Sequence, residues 1–137
     1  MRCTYCFYKD EIDNRSVKNY GFMTNSIAKC LIDKALANSN DNVNFSFQGG
    51  EPTLSGLDFF REFTSYVKEK GGERVTFSLQ TNGYIIDREW AAFFHDNGYL
   101  IGLSLDGNKK IHDIYRIGPD NKGTFVKAFA YSSGVNE

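Results

Sequence analysis

The chain has 137 residues, 41% of them apolar and 24% charged, which suffices for one domain with a core and leaves two improbable. A net charge of -1 and a pI near 6.1 argue against a nucleic-acid or anionic-membrane surface. No apolar run approaches the roughly 18 residues a spanning helix needs, no basic-then-apolar leader is visible, and three cysteines do not make a disulfide framework, so the expected compartment is the reducing cytosol.

In chain order, the first feature is Cys3-Thr4-Tyr5-Cys6. Taken alone, this spacing is compatible with half a zinc site, a redox dithiol or two ligands of an iron–sulfur cluster. A thioredoxin-like dithiol wants a strand before it, and none is read here. A zinc site wants a second pair, whereas Cys30 stands alone and His95 and His112 have no partner at ligand spacing. Both histidines are expected on the surface or in loops. A helix follows over about Thr24 to Ala37, with Ile27, Cys30, Leu31 and Ala35 on one stripe, which makes Cys30 a core residue.

Val43 to Gln48 alternates apolar and polar strictly, and Val75 to Gln80 repeats the design; Leu100 to Asp106 is more apolar but ends on Ser104 and Asp106 of one face. Period two with aromatic and β-branched residues predicts strands. Between them, Ser55 is placed to cap a helix carrying Leu57, Phe60, Phe63 and Val67, stopped by Gly71-Gly72. Asp87 is placed to cap another with Trp90, Ala91 and Phe94, ending near Gly98. A last helix starts about Thr124, carries Phe125 and Phe129, and fades at Ser132-Ser133-Gly134.

Strands starting roughly 25 to 32 residues apart with helices between them are βαβ units, hence a parallel sheet. A doubly wound sheet covered on both faces would show continuous apolar strands. These alternate, and Ser46, Gln48, Ser78, Gln80, Ser104 and Asp106 accumulate toward the strand ends. That pattern suits a barrel-like sheet whose inner face holds a polar ligand at the C-terminal ends of the strands. An antiparallel sheet with one solvated face is the competing architecture.

Met1-Arg2-Cys3-Thr4-Tyr5-Cys6-Phe7-Tyr8 resembles the last eight positions of the radical S-adenosylmethionine (SAM) cluster loop, Cys-x-x-x-Cys-x-x-Cys followed by an aromatic. Gln48-Gly49-Gly50-Glu51-Pro52 resembles that superfamily's Gly-Gly-Glu-Pro motif. Leu79-Gln80-Thr81-Asn82-Gly83, Gly102-Leu103-Ser104-Leu105-Asp106-Gly107 and His112-Asp113-Ile114-Tyr115-Arg116 extend the match over essentially the whole chain. Together they most resemble the anaerobic sulfatase-maturating enzymes, which oxidise an active-site Cys or Ser of sulfatases to formylglycine.

The resemblance implies an α/β fold, a parallel-sheet fragment of a partial (β/α)6 TIM-like barrel, with residues 1–137 forming part of the radical SAM core. It implies a [4Fe-4S] cluster and SAM as cofactors, with Cys3 and Cys6 as cluster ligands. Tyr5 would contact SAM near the adenine, Gln48, Gly49, Gly50 and Glu51 would form the loop facing its amino group, and Ser104 would bind the nucleoside or methionyl part. Arg116 would pair with its carboxylate, a task suited to a planar guanidinium fork. Glu51 is equally placed to cap the segment that follows it. Implied partners are a sulfatase-like peptide or protein and a reductant such as flavodoxin or ferredoxin. The first cluster cysteine, the later barrel strands, the auxiliary-cluster domain and the catalytic proton acceptor are expected outside these residues. A different peptide-modifying activity, or an α/β domain that holds no cluster, would be distinguished by the rest of the protein and by an iron count.

Overall fold

The alternation read in the sequence becomes one buried and one wet face of a sheet in the computed structural model, which describes residues 1–130. The chain opens with a two-residue strand β1 (Arg2–Cys3), a short helix α1 (Phe7–Asp13) and a longer helix α2 (Asn25–Ala37). Strand and helix then alternate: β2 (Val43–Phe47), α3 (Leu57–Gly71), β3 (Val75–Thr81), α4 (Arg88–Asp96), β4 (Tyr99–Leu103), α5 (Lys109–Tyr115), β5 (Arg116–Ile117) and α6 (Phe125–Phe129). Strands β2, β3 and β4 form a parallel sheet in that order, with Phe45 opposite Phe77 and Phe77 opposite Tyr99. The antiparallel alternative is thereby excluded for this sheet. The short pair β1–β5 runs antiparallel, Cys3 facing Arg116, and Ile117 makes a single antiparallel bridge to Gly123.

Phe45, Phe77 and Leu79 point inward from the sheet to meet Phe60, Phe63 and Val67 of α3 and Trp90 and Phe94 of α4. Phe60 is fully buried, 5.4 Å from the Trp90 ring, and Phe77 stacks on Tyr99 at 4.9 Å. Such ring pairs add about 0.5–1.5 kcal/mol each beyond the area they bury. The one polar atom that Tyr99 brings inside is satisfied, its hydroxyl lying 2.7 Å from Thr64 Oγ1. On the opposite face Asn44 links the strands sideways, donating to Thr76 Oγ1 and accepting from Ser78 Oγ, both at 2.9 Å.

Helix ends follow the sequence in part. Thr24 caps α2 through Ile27 N–H, and Asp87 caps α4 by accepting from Trp90 N–H at 3.0 Å. Helix α3 ends at Gly71 as expected, but it is capped by Gly56 and not by Ser55, because Pro52–Ser55 coil into a short 3-10 turn first. The buried stripe of α2 is Ala28, Ile32 and Leu36; Cys30 is exposed, and Ile27 and Leu31 are largely so. The expectation that Cys30 is a core residue is therefore wrong. Helices α1 and α5 were not expected. The fading of α6 at Ser132–Gly134 lies outside the described residues. No helix among the described residues is long and apolar enough to cross a membrane.

Candidate cofactor site

Because β2, β3 and β4 run parallel, their C-terminal ends lie side by side, and the loops leaving them share one rim. The loop after β2 carries Gln48, Gly49, Gly50 and Glu51. Gly49 and Gly50 both have positive φ, +92° and +52°. A Cβ on Gly49 would sit 3.4 Å from the Tyr8 ring, so the cysteine segment packs directly against this loop. A Cβ on Gly50 would meet nothing within 4 Å, so its face is open.

Glu51 is engaged by groups of the protein itself. Its Oε1 accepts from the Thr53 and Thr81 hydroxyls, both at 2.7 Å, and its Oε2 accepts from Asn82 N–H at 2.8 Å. It also caps the short turn through Thr53 N–H. The carboxylate thus staples the β2 loop to the end of β3, where the sequence left open a choice between ligand contact and cap. Beyond β4, Ser104 N–H continues the ladder to Thr81 C=O at 2.9 Å before the chain leaves the sheet, so the strand ends at Leu103 rather than at Asp106. Gln80 lies across β4 and donates to Ser104 Oγ at 3.0 Å. Residue 102 is glycine, and a Cβ there would come within 2.1 Å of Gln80 Oε1 as that side chain lies.

Cys3 and Cys6 sit on a tight turn, Cys6 N–H donating to Cys3 C=O at 3.3 Å, and both are partly buried. Between them the Tyr5 hydroxyl donates to Asp106, and its ring lies 5.5 Å from the Arg116 guanidinium. Arg116 Nη1 points at Cys3 Sγ, 3.8 Å away. Its Nε is 3.0 Å from Asp106 Oδ2, near enough to pair as charges, but the N–H is not aimed at the oxygen and makes no hydrogen bond. A buried guanidinium N–H without a partner is the kind of atom that a ligand satisfies.

These contacts set the charge states. Burial pushes the Cys3 thiol above its ordinary value against the opposing pull of Arg116. Burial and then the bond to Asp106 push Tyr5 up to about 12. Burial alone would raise Asp106, but the hydrogen bond from Tyr5 and the positive charge of Arg116 beside it outweigh that and hold the carboxyl below the usual range. The expectation that His112 lies at the surface is wrong: it is fully buried, its pKa lowered by burial and by Arg116. Its ring partners, Asp106 and Thr124, lie outside the short helix α5 on either side of it, so a reading of that helix alone missed it. Tyr8, Asp106 and Thr124 were likewise unassigned, although Tyr8 directly follows the cysteine loop.

A family model described as the radical SAM superfamily matches residues 1–134. The chain is 46% identical over 129 residues to the cysteine-type anaerobic sulfatase-maturating enzyme of Clostridium novyi, covering 93% of this chain and 34% of that protein. The Clostridium perfringens enzyme of the same name is 42% identical over an equal share of this chain. A solved structure of native anSMEcpe with bound AdoMet and Kp18Cys peptide superposes with a TM-score of 0.87 at 38% identity, over 97% of this chain and 36% of that one. The chain thus spans about a third of the relatives it matches. A profile match over nearly every residue, and a fold shared at this identity, place the chain in the radical SAM superfamily.

Proposed function

We propose that this chain is the cofactor-binding part of an anaerobic sulfatase-maturating enzyme, which converts an active-site residue of a sulfatase to formylglycine. The observation that carries the reading is the meeting of the Cys3–Cys6 turn, the open Gly50 face and Arg116 at one end of a parallel sheet. Cys3 and Cys6 fit as two of the three thiolates that a [4Fe-4S] cluster with one open iron requires; no third His, Cys, Asp or Glu joins them among the described residues. The third thiolate, like the later strands and the auxiliary-cluster domain, would come from sequence beyond residues 1–137. When bound, the reduced cluster and SAM supply a primary carbon radical that abstracts hydrogen from the peptide.

The chain's own residues bind and orient. Arg116 takes the SAM carboxylate through its guanidinium fork, with Asp106 standing alongside as its counter-charge. The Gly49-Gly50 backbone faces the amino group without a Cβ in the way, and Gln48 flanks it. Ser104, held by Gln80, contacts the nucleoside or methionyl part. Tyr5 lies against the adenine end, steadied by Asp106. Glu51 acts by fixing the glycine loop to β3. The target is a peptide thiol, which the cysteine-type naming of both Clostridium relatives favours. A low-potential donor such as flavodoxin or ferredoxin supplies electrons in the cytoplasm, where thiols stay reduced.

The test is anaerobic reconstitution of the full-length protein, reduction, and incubation with a sulfatase active-site peptide carrying cysteine. Formylglycine in the peptide and 5′-deoxyadenosine in solution are expected, read by mass spectrometry. Deoxyadenosine without formylglycine would reassign the peptide substrate. Absence of both from an iron-loaded protein would overturn the reading.

A further inference from the structure

We infer that His112 is the positioning residue of the SAM carboxylate site, holding Arg116 and Asp106 in place through their backbones. The inference rests on the reading of Arg116 given above and extends it to a residue that touches no ligand.

The His112 imidazole is fully buried, so both of its ring nitrogens need partners within the protein. Thr124 Oγ1 lies 2.8 Å from the Arg116 carbonyl, and a carbonyl can only accept, so the threonine proton is committed there. The same oxygen is 3.0 Å from His112 Nε2 and must accept from it. His112 therefore carries its proton on Nε2, which leaves Nδ1 as an acceptor. Nδ1 faces the Asp106 N–H at a long 3.4 Å. The lowered basicity of the ring agrees with a neutral imidazole.

Both backbone polar groups of Arg116 end on this residue. Its N–H closes α5 by donating to the His112 carbonyl. Its C=O is reached from the His112 ring through Thr124. The ring's other nitrogen holds Asp106, whose carboxylate lies 3.0 Å from Arg116 Nε and accepts from Tyr5. The imidazole thus bears on the Arg116 carbonyl through Thr124 and on the Asp106 backbone directly, while the helix-closing bond comes from the His112 main chain. The neighbouring Asp113 fastens the same loop independently, accepting from Phe125 N–H at 2.9 Å, with Gly123 pressed against it. Loss of the His112 links therefore loosens Arg116 without freeing the loop.

Two isosteres separate the links. His112→Asn keeps an acceptor near Nδ1 and loses the donor to Thr124; His112→Gln keeps a donor near Nε2 and loses the acceptor for Asp106. Thr124→Val removes the relay hydroxyl, and Thr124→Ser restores it. In the full-length, cluster-loaded protein, SAM affinity is measured anaerobically by equilibrium dialysis, with iron content and melting temperature recorded for each variant. His112→Asn and Thr124→Val should each weaken SAM binding by about three- to tenfold, the range for one lost hydrogen bond, with iron content unchanged. Thr124→Ser should stay close to the parent, and His112→Gln, which keeps the Thr124 link but loses the long bond from Asp106 N–H, should weaken SAM binding by less than His112→Asn does. Once Arg116→Lys is present, His112→Asn should add no further loss, because its effect passes through the guanidinium.

If His112→Asn and Thr124→Val only lower the melting temperature and bind SAM as the parent does, His112 is a packing residue and the inference fails. It also fails if the His112→Asn and Arg116→Lys losses simply multiply. If Arg116→Lys itself leaves SAM affinity untouched, the SAM-site reading falls first and this inference with it. Should His112→Asn not fold, the Thr124→Val and Thr124→Ser pair carries the same decision.

Discussion

Arg116 Nη1 lies 3.8 Å from Cys3 Sγ although 113 positions separate the two residues. The antiparallel pairing of β1 with β5 creates this approach by setting Cys3 opposite Arg116. A cationic N–H directed at a cluster sulfur stabilises added negative charge there, and hydrogen bonds to the sulfurs are among the factors that set such a cluster's potential.

Arg116→Lys should therefore do two separable things. SAM affinity should fall about ten- to a hundredfold through loss of the planar fork, with iron content unchanged. In the absence of SAM, the midpoint potential of the cluster should move to more negative values, read by an EPR-monitored redox titration. An unchanged potential would show that Nη1 does not reach the cluster-bound sulfur.

Thiol alkylation should follow burial and charge. Cys30 is exposed and should react well before Cys3 in the cluster-free protein. Because burial lifts Cys3 above the ordinary 9.0, its thiolate is scarce at neutral pH and its labelling rate should still be climbing at pH 9.0. Arg116→Ala should slow Cys3 further, since the guanidinium is what opposes the burial effect. Peptide mapping after timed labelling checks both; equal rates at Cys3 and Cys30 would contradict the structure.

Glu51→Gln should destabilise the fold by about 1–3 kcal/mol, because the new amide presents donors where the chain already supplies hydroxyl and amide donors. The measurement is a urea titration. A change confined to SAM binding, with no loss of stability, would restore Glu51 to a direct ligand role.

Gly50→Ala and Gly123→Ala should fail in opposite ways. At Gly50 the added methyl enters open space, so only the left-handed backbone is penalised, by about 1–2 kcal/mol, and SAM binding should suffer most. At Gly123 it would come within 2.1 Å of Asp113 Cγ, and the chain should unfold more readily. Paired melting and SAM-binding curves separate the two outcomes.

The sheet and the principal helices were legible because each is amphipathic with a readable period, and Thr24 and Asp87 mark the starts of α2 and α4. The α2 stripe was read one position off because that helix is apolar on two adjacent faces. Ile27, Cys30 and Leu31 compete with Ala28, Ile32 and Leu36, and only packing against α3 decides between them. Helices α1 and α5 have seven residues each, too few for a period to declare itself. The site residues were visible as motifs, but the contacts that orient them were not. Asp106 meets Tyr5 across 101 positions, and His112 meets Thr124 across 12. Such pairings belong to the tertiary structure and leave no local trace.

The contact between Gln80 and Gly102 has a consequence for how related sequences can diverge. In this rotamer the Gln80 amide reaches into the space that a side chain at position 102 would take. The two positions should therefore drift as a linked pair: a homologue with alanine or serine at 102 should carry either a short residue at 80 or a glutamine turned to another rotamer. Ser104, having lost its donor from Gln80, would then need to recruit another neighbour to hold its hydroxyl in the same orientation.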